Sequence, residues 1–288
     1  MIGHSLRILL RTPQGLRLLA REWAVQFGLL SGAAQLYLAF WPDSALPRWP
    51  ALLGIAGLAT VGGVLRSWPR STVSREFTGP GFTVTVQVGD LFDRESHLVV
   101  GFNDVFDTDT RDERLIVRRS VQGQFLHRVY AGDLARLDDD LAVALGGVSP
   151  AGLEERSAKQ AGKLVRYPVG TVAVLYGPGR RFFCAAYGRM GNDLVISSGA
   201  DQLWHTLWQL WTAVHLHGRR EPIAMPVIGA GLARIDSMDH MALLKLILLS
   251  FVTRSRESVV CKSLTVVVHP GDYDQVDMLE LGMFLRSL

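Results

Sequence analysis

At 288 residues the chain exceeds one small domain and falls short of two large ones, so one main domain with an appendage is expected. Thirty basic against twenty-seven acidic residues leave a net charge of only +3, too little to define a nucleic-acid track. The two cysteines, Cys184 and Cys261, lie far apart without a C-x-x-C pair, which argues against a disulfide framework or zinc cluster and for ordinary buried thiols in a reducing compartment.

Mean hydropathy is positive although 20% of the residues are charged, so apolar residues must be concentrated somewhere, and they are concentrated near the start. The runs Trp23 to Phe40 and Trp49 to Leu65 contain no charge, and each is about the length of a bilayer-spanning helix. A short proline-containing connection, WPDSALPR, joins them, and Trp23, Trp41, Trp49 and Trp68 fall at the run ends as an aromatic belt would. Arg7, Arg11, Arg17 and Arg21 precede the pair and Arg66, Arg70 and Arg75 follow it, whereas the turn holds only Arg48, beside Asp43. The positive-inside rule then predicts a multi-pass protein of the inner (cytoplasmic) membrane with both termini cytoplasmic. Two buried helices of a soluble core are the alternative, since Gly54, Gly57, Gly62 and Gly63 suit close packing in either setting.

Residues 71–81 are polar, end in Gly and Pro, and read as a linker. FTVTVQV (82–88) alternates as a strand with one wet side, and HLVVGFN (97–103) is a continuous apolar run as in a strand buried on both faces. Helical periodicity follows at 120–130 and 133–145, the latter with Asp133 as N-cap and Gly146 as stop. TVAVLY and RFFCAAYG flank the turn GPGR and pair as a hairpin, so the sheet cannot be wholly parallel. A helix over 201–216, the strand IAMPV, a helix over 237–251, the strand SLTVVVH and a closing helix complete the chain. The expected fold is α/β: a mixed central sheet flanked by helices on both faces, preceded by a two-helix transmembrane hairpin. The boundaries are a basic segment at 1–22, the hairpin at 23–68, a linker at 69–81 and the α/β domain at 82–288.

In such sheets ligands collect beyond the carboxyl ends of the strands. Four loops there carry unusual content: Gly89-Asp90-Leu91-Phe92; Gly101-Phe102-Asn103-Asp104 with Phe106-Asp107-Thr108; Pro226-Val227-Ile228-Gly229-Ala230-Gly231-Leu232-Ala233-Arg234; and His269-Pro270-Gly271-Asp272-Tyr273. A strand, a G-x-G turn and a helix form a diphosphate cradle to which Arg234 adds charge, although the same pattern also serves as a tight turn with no ligand. Trp204, Trp208 and Trp211 form a helical stripe with Leu207 and read as a packing face; His215 and His217 do not share a helix face, which argues against a metal pair. No zinc-protease, nucleophile-elbow or Walker pattern occurs.

The Gly89-Asp90-Leu91 strand end, Asn103 and the Ile228-Gly229-Ala230-Gly231 loop resemble the macro-domain pattern. Gly101 to Thr108, the later Ser120-Val121-Gln122-Gly123-Gln124-Phe125 and the preceding hairpin are similar to the macro-domain effectors of type II Thoeris anti-phage defence. The resemblance implies that Asp90, with Leu91, holds adenine, that the loop bearing Phe102, Asn103, Asp104, Phe106 and Asp107 contacts the distal ribose, and that Ile228, Gly229, Ala230, Gly231 and Leu232 wrap the diphosphate. Tyr273 stands where some macro domains stack an aromatic ring on adenine. The implied ligand is an ADP-ribose derivative, histidine-conjugated ADP-ribose in the type II class, made from NAD by a TIR-domain enzyme. The implied outcome is homo-oligomeric assembly and membrane disruption, with membrane lipid as partner and neither cofactor, metal nor nucleic acid involved. The three-glycine stretch of hydrolytic macro domains is replaced by Asp104-Val105-Phe106, so hydrolysis is not expected. A membrane-tethered ADP-ribosyl hydrolase, with Asp104 or Asp107 positioning water, is the rival reading.

Overall fold

The computed structural model describes residues 13–40, 48–66, 71–231 and 238–288, which fall into two compact units divided between Arg70 and Ser71. In the first unit, α1 (Pro13–Phe40) and α2 (Arg48–Arg66) form a helical hairpin. Gly63 faces the Trp23 backbone, where a Cβ would make ordinary contact at 3.4 Å, and the Trp23 indole donates to Thr60 Oγ1 at 3.1 Å.

The transmembrane expectation is overturned: no helix among the described residues is long and apolar enough to cross a membrane. Helix α1 takes in Arg17, Arg21 and Glu22, and its charge-free part is diluted by Gln26, Ser31, Gln35 and two glycines. Helix α2 spans 19 residues, both of its terminal residues are arginines, and Gly54, Gly57, Gly62 and Gly63 dilute it. The inner-membrane, multi-pass placement and the lipid partner derived from the spans are corrected with them. Trp41, Trp68, Arg7, Arg11, Asp43 and Arg70, used in that argument, lie outside the described residues. Arg75 is no membrane flank; its guanidinium sits 4.5 Å over the Phe77 ring and donates to the Leu285 carbonyl.

The second unit begins with a further correction, because the expected linker carries strand β1 (Thr72–Phe77). It pairs antiparallel with β2 (Phe82–Val88), Thr72 opposite Gln87. The other sheet strands are β3 (His97–Asn103), β6 (Val172–Gly177), β7 (Arg180–Met190), β8 (Ile196–Ser197), β9 (Ile223–Pro226) and β10 (Ser263–Val268); β4 (Gly152–Leu153) and β5 (Val165–Arg166) form a separate two-stranded ladder. The sheet order is β1-β2-β10-β9-β3-β7-β6, with β8 on the end of β7. The five strands from β2 to β7 in that order run parallel, and β1 and β6 close the edges antiparallel. The mixed sheet expected from the GPGR hairpin is therefore present.

Strand alternation divides the core in two. Val84, Val86, Val99, Phe183, Met225 and Val266 pack on one face against α5 (Ala200–His217) and α6 (His240–Glu257). Leu98, Val100, Phe102, Phe182 and Cys184 pack on the other against α3 (Val121–Val129) and α4 (Leu134–Leu145). Helix α7 (Met278–Ser287) closes the chain against β1. The caps are local: Asp133 accepts from the Arg136 amide at 3.0 Å, and Asp239 starts α6 at His240 by accepting from the Ala242 amide at 2.7 Å. The tryptophan stripe splits: Trp211 is fully buried and donates to Ser250 Oγ at 3.0 Å, whereas Trp208 lies under Arg254 and Trp204 reaches solvent. Both cysteines are buried free thiols, and burial pushes Cys261 up to about 12.

Phe251 joins sheet to helix, its ring edge-on to Phe82 at 5.5 Å and to Trp211 at 5.1 Å. Phe251→Ala should therefore cost about 3–5 kcal/mol in a urea denaturation curve, since the rigid sheet cannot collapse into the cavity.

Candidate functional site

Because β2, β10, β9 and β3 are parallel, their carboxyl ends meet at one edge of the sheet. Two cavities of about 390 and 270 Å³ open there. They share Val121, Gln124, Val227, Gly231, His269 and Asp272 as walls and so form one trough with two ends.

At the smaller end, β2 stops at Gly89-Asp90. Asp90 Oδ1 accepts from the Phe92 amide at 2.9 Å and starts a 3-10 turn over Leu91–Asp93, while Oδ2 accepts from Arg128. Burial alone would raise the Asp90 carboxyl, but the Arg128 hydrogen bond, the Phe92 amide and the charges of Arg128 and His269 together hold it below its ordinary value. Leu91 and Phe92 are buried beneath it and line the same end.

In the middle, β9 leads into Val227-Ile228-Gly229-Ala230-Gly231. Gly229 has φ +87°, a left-handed conformation that a side chain resists, and the Ala230 amide closes the turn on the Val227 carbonyl at 3.3 Å. Gly231 has open space where a Cβ would stand. Leu232 and Arg234 lie outside the described residues. The first turn of α3 forms part of the same wall through Ser120, Val121, Gln122 and Gln124. Ser120 caps it by accepting from the Gly123 amide at 3.1 Å. Gly123 is obligatory, because a Cβ there would lie 2.4 Å from the Val117 carbonyl oxygen. A glycine turn and a capped helix start thus bound one cavity, a combination that favours an anion.

The larger end is apolar, with Leu115, Ile116, Val117, Tyr187, Ile196 and Ile228 around Gly101. Gly101 permits the Tyr187 ring to lie there, since a Cβ would sit 2.8 Å from its Cε1. Burial pushes the Tyr187 phenol up to about 12, so it stays neutral at physiological pH.

The loop after β3 departs from expectation. Phe102, Asn103, Asp104, Phe106 and Asp107 are buried and line neither cavity. Asn103 Oδ1 accepts from the Val105 and Asp107 amides at 3.2 and 3.1 Å, and its Nδ2 donates to Asp107 at 3.3 Å. Asp104 accepts from Arg166 at 2.6 Å and from the Met190 amide at 2.8 Å, and Arg166 also pairs with Glu154. Asp107 accepts from the Lys163 amide at 2.6 Å and faces the fully buried Lys159 ammonium at 3.4 Å. Phe106, at φ +51°, packs its ring between Phe102 and Tyr167. These residues are the buried frame of the wall rather than its surface. Tyr273 is half-buried against the α5–α6 face of the core, with burial first and then Asp274 and Asp277 pushing its phenol up, and it lines neither cavity.

The reading from sequence missed Ile116, Val117, Gln124, Tyr187, Ile196, His269 and Asp272. His269 and Asp272 were within reach, since they stand in a loop already singled out, and the Ser120-x-x-Gly123 cap marked the start of α3. No periodicity distinguishes residues 111–117, which are irregular. Among the described residues no group of histidine, cysteine and carboxylate side chains could hold a metal ion.

A parallel-centred sheet with two antiparallel edges, helices on both faces and a glycine-walled trough beyond the strand ends defines a macro domain. Solved structures agree on the fold: an alanine mutant of the Oceanobacillus iheyensis macrodomain superposes with TM-score 0.50 at 14% identity, covering 76% of this chain and 100% of that one. The same macrodomain with ADP gives 0.50 at 15% identity and the same coverage. More narrowly, residues 84–269 match the family Thoeris protein ThsA, Macro domain, and the chain belongs to that family. No curated protein matches it.

Arg166→Met should cost about 3–5 kcal/mol by chemical denaturation, because it leaves the buried Asp104 without its counter-charge. Gly123→Ala must displace either the start of α3 or residues 117–118, and a drop of about 1–3 kcal/mol is expected together with a distorted trough, detectable as lost ligand affinity in calorimetry.

Proposed function

We propose that this protein is a nucleotide sensor of Thoeris defence, whose trough takes an ADP-ribose derivative supplied by a TIR-domain partner and whose occupied form assembles into homo-oligomers. The observation that carries the reading is the single trough with Asp90 at one end, the Gly229–Gly231 turn and the α3 start in the middle, and an apolar compartment beyond. An acceptor-only carboxylate suits a ring amine, the middle suits a diphosphate, and the far end leaves room for a group attached to the distal ribose. The macrodomain superposed above carries ADP. Within this reading the ligand is the histidine conjugate of ADP-ribose.

We further propose binding without turnover. What supports it is the engagement of Asn103, Asp104 and Asp107 with Arg166, Lys159, backbone amides and one another, which leaves the rival hydrolase reading without an exposed base from that loop.

Calorimetric titration of the full chain with ADP-ribose, its histidine conjugate and NAD, with chromatography of the products and light scattering of the mixtures, tests both parts. The conjugate should bind tightest, remain intact and increase the scattering mass. Gly229→Glu, which forces a carboxylate into the anion-favouring turn, should weaken binding by roughly a hundredfold, about 2.7 kcal/mol. Release of free ADP-ribose from the conjugate would make the protein an enzyme, and absence of binding by folded protein would remove the sensor reading.

A further inference from the structure

Arg128 has no part in the trough walls, yet it is fixed on three sides at the smaller end. Its Nη1 donates to Asp90 Oδ2, its Nη2 to Asp93 at 3.1 Å, and its guanidinium plane lies 5.0 Å over the Phe92 ring. The two side chains of the Arg128–Asp90 pair are each 40% exposed. Ion pairs this exposed add little to stability, so folding gives only a weak reason for holding an arginine so firmly. What the arrangement does achieve is orientation. With the Phe92 amide on Oδ1 and Arg128 on Oδ2, the Asp90 carboxylate cannot rotate, and its remaining lone pairs stand at the cavity wall.

We propose that Arg128 is the positioning residue that sets base selectivity at this site: by locking Asp90 it restricts the base end to purines that present an exocyclic amine. The inference rests on the nucleotide-binding reading above and deepens it. A carboxylate with fixed lone pairs accepts from an amine and meets a ring carbonyl with two acceptors facing each other, which leaves both unpaired. Freed from Arg128, the carboxylate turns toward solvent and the discrimination falls. The depressed Asp90 carboxyl is consistent with this, since the group remains an acceptor throughout the physiological pH range. Being at the last turn of α3, Arg128 also favourably faces the helix C-terminus, which is the bland role that a test must separate from selectivity.

ADP and inosine 5′-diphosphate differ at the base by replacement of the amine with a carbonyl and the accompanying proton on N1. Both are titrated into the full chain and into Arg128→Gln, Arg128→Lys and Asp93→Asn, with purine riboside 5′-diphosphate, which lacks the amine and keeps N1 unprotonated, as the control for that proton. The wild-type chain should prefer ADP by roughly tenfold or more. In Arg128→Gln the preference should shrink to about two- to threefold with an unchanged melting temperature, a change that loss of a helix-end charge would not produce. Arg128→Lys keeps the charge on one nitrogen without the two-armed fork and should recover part of the preference, and Asp93→Asn, which loosens one anchor of Arg128, should show a smaller loss than Arg128→Gln. Retention of the full wild-type preference in Arg128→Gln overturns the proposal. Should that variant fail to fold, unchanged preference in both Arg128→Lys and Asp93→Asn overturns it instead. Equal wild-type binding of the two nucleotides overturns it while nucleotide binding stands, whereas binding of neither nucleotide nor ADP-ribose by folded wild-type protein removes the sensor reading and this inference together.

Discussion

The Asp104 carboxylate is the point from which the ligand-facing edge is organised. It is almost wholly buried, and a charge in that position persists only if it is paired and hydrogen-bonded. Arg166 supplies the charge and the Met190 amide a second donor, while the Asp104 carbonyl accepts from the Tyr167 amide at 2.8 Å. One residue thereby fastens the end of β3 to the end of β7 and to the segment around β5. Asp107 repeats the device three residues further on with Lys159 and the Lys163 amide. Between them the loop has no freedom to follow a ligand.

A rigid wall on that side gives meaning to the softer parts opposite. Gly229 adopts a conformation closed to most residues, Gly231 faces open space and Gly123 allows the start of α3 to approach residues 117–118. Glycines are spent where backbone must come close or turn sharply, and ion pairs where backbone must not move. Helix α3 belongs to both arrangements. Its first turn lines the middle of the trough, and its last carries Arg128 to Asp90 at the smaller end, so nine residues of helix connect the two.

How much of this was legible in the sequence varies with the range of the interactions involved. The alternation of Val84 and Val86, the Asp133 cap, the GPGR hairpin and the Gly229–Gly231 turn depend on neighbours within a few residues, and each was readable. The burial of Asp104 and Asp107 depends on Arg166 and Lys159, 62 and 52 residues away, and an aspartate after a strand looks the same whether it faces a ligand or an arginine. Strand β1 was hidden because an edge strand with one dry side needs few apolar residues, here Val73 and Phe77. The two N-terminal runs misled for a different reason. Freedom from charge there outweighed the glycines that dilute the runs, and the glutamines and the charged residues that the helices take in were left out of the balance.

Strand β1 also fixes how tension would enter the macro domain. The chain arrives at Ser71, whose carbonyl accepts from the Val88 amide at 2.9 Å, one residue before Gly89-Asp90. Being antiparallel and outermost, β1 resists a pull at its start like the end of a zipper, one rung at a time, with the rung beside Val88 bearing the load first. Anything that draws on the N-terminal segment therefore tugs at the rim of the trough before it disturbs any other strand.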